Sequence, residues 1–192
     1  DMEFLHAVIV LSNFVIIPAI TYGSQLALGA LGVTLVYGIL RFSNFAHGDT
    51  MAFGTMVAIL FTWWFQSIGV SIAPLPTALL ALPIAIVLTA LLLLGTDRVV
   101  LRFYRKQKSA PVILLIVSLG IMFVYNGLVR FIIGVGDQRF SDGSRFIISA
   151  RDFKKLTGLD EGLAIKTTQV ITVITAVMLS LIHISEPTRP TP

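Results

Sequence analysis

The stretch from residue 41 to residue 50 holds the side chains best suited to chemistry: Asn44, His47 and Asp49. Two apolar segments flank it, and polar groups at membrane depth are costly and usually face protein or water. His47 and Asp49 suit a proton relay, whereas a metal needs more than two ligands. Composition favours a plainer interpretation, an interfacial turn in which Gly48 permits a bend and either Asp49 or Thr50 caps the following helix. We predict no metal and no cofactor.

The composition places these residues in a membrane protein. Of 192 residues, 56% are hydrophobic and only 12% are charged, and the mean hydropathy is +0.90. A soluble domain has about 25% charged residues, so this chain has too little polar surface to cover a water-soluble core of its size. Cysteine is absent, which excludes a disulfide framework, thiolate zinc sites and cysteine nucleophiles.

Runs without Asp, Glu, Lys or Arg predict an all-α, polytopic transmembrane helical bundle with about six membrane segments. The runs 4–40 and 50–96 are each too long for one crossing, because about 20 residues cross a hydrocarbon core. We predict that the first folds back near Pro18 and Gly23, and the second between Gly69 and Pro76. The predicted segments are 4–20, 22–40, 51–69, 75–95, 111–133 and 169–184. A lone polar residue in the fifth, Asn126, is interpreted as a contact between helices.

A basic loop sets the predicted orientation. Between Asp97 and Lys108, five basic residues accompany one acid, and such a short loop stays in the cytoplasm. Counting segments back places the N-terminus in the cytoplasm, and counting forward places residues 134–168 outside. This outer segment is long for a connection. It is predicted to contain a short amphipathic helix with Phe153 and Leu156 on one side, as a solvated connector or, alternatively, a docking surface for an external partner.

Motifs for catalysis and nucleotide binding are absent from the sequence, which lacks G-x-x-x-x-G-K-[ST], G-x-S-x-G and H-E-x-x-H. We therefore predict that the chain is not an enzyme and has no nucleic-acid partner. If it moves a solute, the energy comes from another subunit or from a gradient. The alternative to an energised transporter subunit is a gradient-driven secondary transporter of a small solute, with His47 and Asp49 handling protons or ions. A channel or a structural membrane protein is a third alternative.

The run from residue 29 to residue 54, GALGVTLVYGILRFSNFAHGDTMAFG, resembles a family signature. It is similar to the permeases of branched-chain amino acid ABC transporters, the LivH type. Their pattern is a small-residue helix ending in L-T-L-V-Y-G, then N-F-A-H-G-D/E, then a helix with an early glycine. The matching residues, which we take as transport-path or motif candidates, are Tyr37, Gly38, Asn44, Phe45, His47, Gly48, Asp49 and Gly54. Weaker similarity covers roughly residues 20–178.

The resemblance implies a multi-pass permease subunit in the bacterial inner membrane that translocates branched-chain or related amino acids. It implies a second related permease subunit, two cytoplasmic ATPase subunits that hydrolyse ATP, and a periplasmic substrate-binding protein that contacts the outer loop. Relatives that handle urea and amides leave the substrate open. We expect Asn44, His47, Gly48 and Asp49 to shape the bend and its packing more than to contact substrate, and His47→Ala to impair transport.

The end of the chain has a different composition. Three of the eight prolines fall in the last six residues, and the stretch after residue 179 resembles a translated sequencing adapter. We predict that 1–179 is the N-terminal part of an ABC permease transmembrane domain, that 180–192 is a non-native tail, and that Met2 is the true start. Recovery of the intact gene with this same tail would contradict the second expectation.

Overall fold

The protein is described here from a computed structural model, which covers residues 2–72, 75–138, 146–159 and 161–185. Two π-helical turns, Ser12–Ile16 and Asp97–Leu101, join α1 to α2 and α4 to α5 without a break. A two-stranded antiparallel sheet pairs β1, Phe146–Ile148, with β2, Ile165–Lys166. The helices are α1 Met2–Leu11, α2 Ile17–Leu40, α3 His47–Ser67, α4 Ala78–Thr96, α5 Arg102–Lys106, α6 Pro111–Ile133, α7 Ala150–Thr157 and α8 Thr167–Ser185.

The predicted all-α membrane class is confirmed. The predicted number of about six membrane segments agrees only loosely with the structure. Among the described residues, four helices are long and apolar enough to cross a membrane: Glu3–Leu40, Ala78–Lys106, Pro111–Ile133 and Thr167–Ile184. The predicted segment 51–69 corresponds to α3. This helix is not among the four, because its polar residues lower its mean hydropathy. The predicted non-native tail begins inside α8, and its residues 186–192 lie outside the described residues.

The first apolar run does not fold back, so the predicted bend at Pro18 and Gly23 is wrong. The two predicted segments form one helix of 38 residues, Glu3–Leu40. The Ile17 N–H donates to the Ser12 carbonyl, five residues earlier, directly before Pro18. A proline lacks an N–H and its ring crowds the carbonyl four residues back. We attribute the continuity to the π turn, because its wider spacing gives the ring room.

Two consequences follow for the predicted topology. The cytoplasmic N-terminus was counted from a bend that does not exist, so it remains a prediction without that support. The second predicted break is confirmed, since α3 ends at Ser67, Gly69 has φ +73° and α4 begins at Ala78. Residues 73 and 74, within that break, lie outside the described residues.

The chain divides into two compact units, one of residues 1–32 and 143–192 and one of Val33–Asp142. In the second unit, α3 packs against both α4 and α6. Met56, Val57 and Ala85 form a buried cluster where α3 meets α4. Gly54 permits this close approach, because a Cβ at that position would lie 3.1 Å from the Thr89 Oγ1.

In the first unit, the segment after α7 is held by Asn13 in the π turn. The Asn13 Nδ2 donates to the Gly162 carbonyl over 2.7 Å, and the Ala164 N–H donates to the Asn13 Oδ1 over 3.0 Å. A side chain at position 162 would overlap the Ala150 carbonyl, so only glycine fits there. One asparagine thus satisfies two backbone groups of the segment between α7 and β2.

The predicted amphipathic helix in the outer segment is confirmed as α7. The Ser149 hydroxyl accepts the Asp152 N–H at its start, and Gly158 ends it with φ +68°. Both are standard helix-end residues, a hydroxyl cap and a left-handed glycine. Leu156 is 86% exposed, whereas Phe153 is half-buried. Asp160 and residues 139–145 of the outer segment lie outside the described residues.

Candidate functional site

A compact turn, residues 41–46, separates α2 from α3. Arg41 adopts a left-handed backbone with φ +58°, which ends α2. The Asn44 Oδ1 accepts the Ala46 N–H over 3.1 Å, and the Asn44 carbonyl accepts the His47 N–H over 3.3 Å. This side-chain turn sets the start of α3, and Phe42 and Ala46 anchor it as buried residues.

Two details of the predicted turn are corrected. Asn44 supplies the polar contact at the start of α3. Asp49 provides no side-chain cap there, and the Thr50 hydroxyl instead donates to the Ala46 carbonyl over 2.8 Å. The bend does not depend on Gly48, which lies inside α3 without a positive φ. The left-handed position is Arg41, a residue type that sequence statistics do not favour there.

The turn lies beside the interior of α6. The Phe45 N–H donates to the Ser118 Oγ over 3.2 Å, and the Ser118 side chain is fully buried. Further along, the Asn126 Nδ2 donates to the Asp49 Oδ1 over 2.9 Å. At 1.5 Å per residue, Ser118 and Asn126 each lie about 10 Å inside one end of α6. The structure therefore places the turn beside the inner part of α6, a helix long and apolar enough to cross a membrane, and the predicted interfacial position stays a prediction.

This depth has a physical consequence for the turn. Irregular backbone is tolerated in the hydrocarbon region only where protein buries it or where it lines a polar cavity. Here the Ser118 hydroxyl satisfies one free amide of the turn, and Asn44 satisfies another. Interrupted helices of this kind form binding sites in several transporter folds. The turn is therefore the candidate functional site of the second unit.

A cleft of about 400 Å³ lies between the end of α2 and the turn. Its lining combines aliphatic and aromatic carbon with hydroxyl, amide and imidazole groups, and contains no acidic or basic side chain other than histidine. The lining residues are Val33, Thr34, Val36, Tyr37, Ser43, Asn44, Phe45 and His47. This volume and mixed lining are typical of sites for small molecules.

His47, a residue of the cleft lining, also carries a buried and unsatisfied nitrogen. Its Nε2 is shielded from solvent and has no hydrogen-bond partner among the described residues. A buried polar atom without a partner costs about 1–3 kcal/mol, and such atoms in native structures call for an explanation. The described residues contain no group of three histidine, aspartate or glutamate side chains placed to hold a metal.

The structure divides the predicted candidates among three places. Tyr37, Asn44, Phe45 and His47 line the cleft, and Asp49 faces α6. Gly54 lies at the crossing of α3 with α4, while Gly38 and Gly48 are exposed with open space around them. Their roles in transport remain predictions.

Asn126 confirms the predicted contact between helices, since it links α6 to α3. Ser118 was missed by the sequence analysis. The sequence pointed to Ser118 only as a small hydroxyl residue within an apolar segment. Such residues also occur at ordinary contacts between helices.

Comparison with known proteins gives the family. Residues 15–185 match the family model described as "Branched-chain amino acid transport system / permease component". The chain belongs to this family. The predicted resemblance is therefore confirmed, and the motif at the turn lies inside the matched region. The apolar helices and the family of the permease make it a multi-pass membrane protein.

Individual relatives match over shorter stretches. The permease is 33% identical over 87 residues, 45% of its length, to the high-affinity branched-chain amino acid transport system permease protein BraD of Pseudomonas aeruginosa, of which the match covers 28%. It is 39% identical over 51 residues, 27% of its length, to LivH of Salmonella typhimurium and of Escherichia coli K12, of which the match covers 17%. No solved structure matches the permease.

Proposed function

We propose that this chain is part of the membrane subunit of an ABC importer that carries branched-chain or related amino acids across the bacterial inner membrane. The observation that supports this proposal is the family match over residues 15–185. The names of the relatives BraD and LivH, high-affinity branched-chain amino acid permeases, indicate the substrate class. The signature at the turn between α2 and α3 is the part of the sequence that carries the likeness.

The proposal includes partners that supply energy and substrate. The sequence has no nucleotide-binding motif of its own, so ATP hydrolysis is assigned to two cytoplasmic ATPase subunits. A second related permease completes the membrane part, and a periplasmic binding protein delivers the solute. The outer segment with α7 is the proposed contact for that binding protein.

The proposed orientation rests on the loop between α5 and α6, which we assign to the cytoplasm. This loop follows Arg102, Arg105 and Lys106, and Arg105 forms an ion pair with Asp97 over 2.6 Å. Positive loops of this length stay on the cytoplasmic side. The turn at residues 41–46 then opens toward the same side through the end of α2.

The function is tested by uptake of radiolabelled leucine in a strain that lacks its own branched-chain amino acid importers. The complete permease gene is expressed with its partner permease, ATPases and binding protein. Uptake is expected to depend on ATP, to fail when the Walker lysines of the ATPases are replaced, and to persist when a protonophore collapses the proton gradient. The control strain carries the same genes without the permease.

Two results would contradict the proposal. Uptake that stops with the protonophore and ignores the ATPase variants indicates a gradient-driven secondary transporter. Absence of leucine, isoleucine and valine uptake, in cells where the complex assembles, indicates that the substrate class is wrong. In the same assay His47→Ala is expected to reduce uptake, and wild-type uptake by the folded variant would contradict that expectation.

A further inference from the structure

We propose that the helical turns after α4 bind the phosphate headgroup of an anionic phospholipid. The residues that carry this inference are Arg98, Arg102 and Lys106, which we call the basic row. The inference requires only that the permease spans a membrane, so it does not depend on which solute is carried or on what drives the transport. Three observations support it: the position of the row along its helix, its unpaired positive charges, and the exposed carbon beside it.

The helix that carries the basic row is longer than a hydrocarbon core. Ala78–Lys106 continues for 29 residues, about 43 Å at 1.5 Å per residue, whereas the core is about 30 Å thick. Asp97 is the first charged residue in this helix. The uncharged part that precedes Asp97 is long enough for the crossing on its own, so we assign the turns after it to the level of the lipid headgroups.

The basic row carries positive charge that no acidic side chain neutralises among the described residues. Arg98, Arg102 and Lys106 are exposed and form no ion pair there. The one acid between residues 97 and 108, Asp97, is paired with Arg105 over 2.6 Å. Residues four apart are neighbours on a helix surface, and like charges at this spacing repel one another. An anion bound between the two guanidinium groups removes that repulsion.

A phosphate is the anion that this arrangement suits. The guanidinium group of arginine donates two parallel hydrogen bonds to a phosphate. Arg98 and Arg102 have Cβ atoms about 5–6 Å apart at this helical spacing, so both long side chains reach one phosphate. Clusters of about four to eight basic residues next to a membrane helix are typical of binding sites for anionic lipids. Five basic residues lie between residues 98 and 108.

A second row of exposed side chains favours a lipid over a free phosphate. Val99 is 76% exposed and Phe103 is 56% exposed, and these two residues follow the arginines directly in sequence. Another side of the helix is packed, since Leu101 is buried and Tyr104 packs against the same core cluster. An anionic phospholipid covers both exposed rows, because its headgroup meets the guanidinium groups and its acyl chains cover the carbon. A free phosphate leaves that carbon exposed.

The test measures which phospholipid lies against the helix. The complete transporter is reconstituted in liposomes, with Val99→Cys labelled by a bimane fluorophore. This chain has no other cysteine, and any cysteine elsewhere in the complex is replaced by serine. Phospholipids with a nitroxide on the acyl chain quench the fluorophore when they are adjacent to it. We expect phosphatidylglycerol to be preferred over phosphatidylcholine about fivefold or more, the effect of one basic residue near an anionic surface, and salt to weaken the preference.

Three charge variants test the residues of the site. Arg98→Gln/Arg102→Gln should reduce the preference to less than about twofold, because one of the three charges of the row remains. Arg98→Lys/Arg102→Lys keeps the charges and should retain most of the preference, which separates lost charge from a folding defect. Asp97→Asn releases Arg105 from its ion pair and should raise the preference.

Two matched controls accompany these variants. Ile86→Cys places the fluorophore on an exposed residue within the uncharged part of the same helix and should show equal quenching by the two phospholipids. Arg151→Gln/Lys154→Gln removes two exposed basic residues from α7 and should leave the preference at Val99→Cys unchanged.

Each result decides the inference separately from the proposed function. Equal quenching by the two phospholipids at Val99→Cys overturns lipid recognition, and an unchanged preference in Arg98→Gln/Arg102→Gln overturns the role of the basic row. Loss of the preference in the lysine variant shows that charge does not select the lipid, which also overturns it. If neither phospholipid quenches the fluorophore, a protein such as an ATPase subunit covers this surface and the proposal fails. A transporter that imports leucine without any lipid preference leaves the proposed function standing.

Discussion

The hydrogen bond between Asn126 and Asp49 is the contact whose loss is most directly measurable. It joins an amide donor on α6 to a carboxylate on α3 over 2.9 Å, and both side chains are half-buried. Hydrogen bonds between membrane helices contribute about 0.6 kcal/mol on average and up to about 1.7 kcal/mol, and bonds to an ionised partner are roughly twice as strong as neutral ones. We therefore expect an interaction free energy of about 1–2 kcal/mol.

The perturbation is Asn126→Leu, which keeps the branched shape and the number of heavy atoms of the side chain and removes the donor. For a protein of this size, about 2–4 °C of Tm corresponds to each kcal/mol, so the apparent Tm should fall by about 2–8 °C. The assay is thermal unfolding of the permease in detergent at a fixed scan rate, followed by the fluorescence of Trp63 and Trp64. Asp49→Asn should cost less, because the amide oxygen still accepts the hydrogen bond.

A double-mutant cycle decides whether the contact exists. If Asp49 and Asn126 interact, the double variant Asp49→Leu/Asn126→Leu, in which each single change removes one partner of the hydrogen bond, is less destabilised than the sum of the single variants. Effects that add within about 0.3–0.5 kcal/mol are expected of independent residues. Additivity here would refute the pairing of α3 with α6 at this level, and with it the depth assigned to the turn.

Three further changes test other contacts by the same unfolding assay or by proteolysis. Ser118→Ala leaves the Phe45 N–H without its acceptor and should cost about 1–3 kcal/mol, whereas a stability equal to wild type would contradict this contact. Gly54→Ala brings a Cβ within 3.1 Å of the Thr89 Oγ1 and should destabilise by about 1 kcal/mol. Thr89→Ala should restore that loss, and failure to do so would show that the helices do not cross there. Gly162→Ala overlaps the carbonyl of the first residue of α7 and should speed tryptic cleavage within that helix, while an unchanged rate would contradict the packing.

Some features followed from the sequence because they depend on local composition or on short spacings. Apolar runs indicate a membrane protein, and Gly69, two residues after α3 ends, has the positive φ that glycine adopts readily at a helix end. The outer helix α7 was predictable from its amphipathic pattern, and its ends carry the hydroxyl cap and the glycine that helices prefer. The family signature is also local, since it lies within 26 consecutive residues.

Other features belong to the tertiary structure. Whether Pro18 bends an apolar helix depends on the hydrogen bonds around it, and one π turn was enough to keep the first helix continuous. Asp49 and Asn126 are 77 residues apart in sequence, and neither neighbourhood specifies the other. Local patterns therefore determined the membrane class and the motif. Only the packing of α3 and α6 decided that the motif lies beside the inner part of α6, because contacts between distant segments depend on how whole helices fit together.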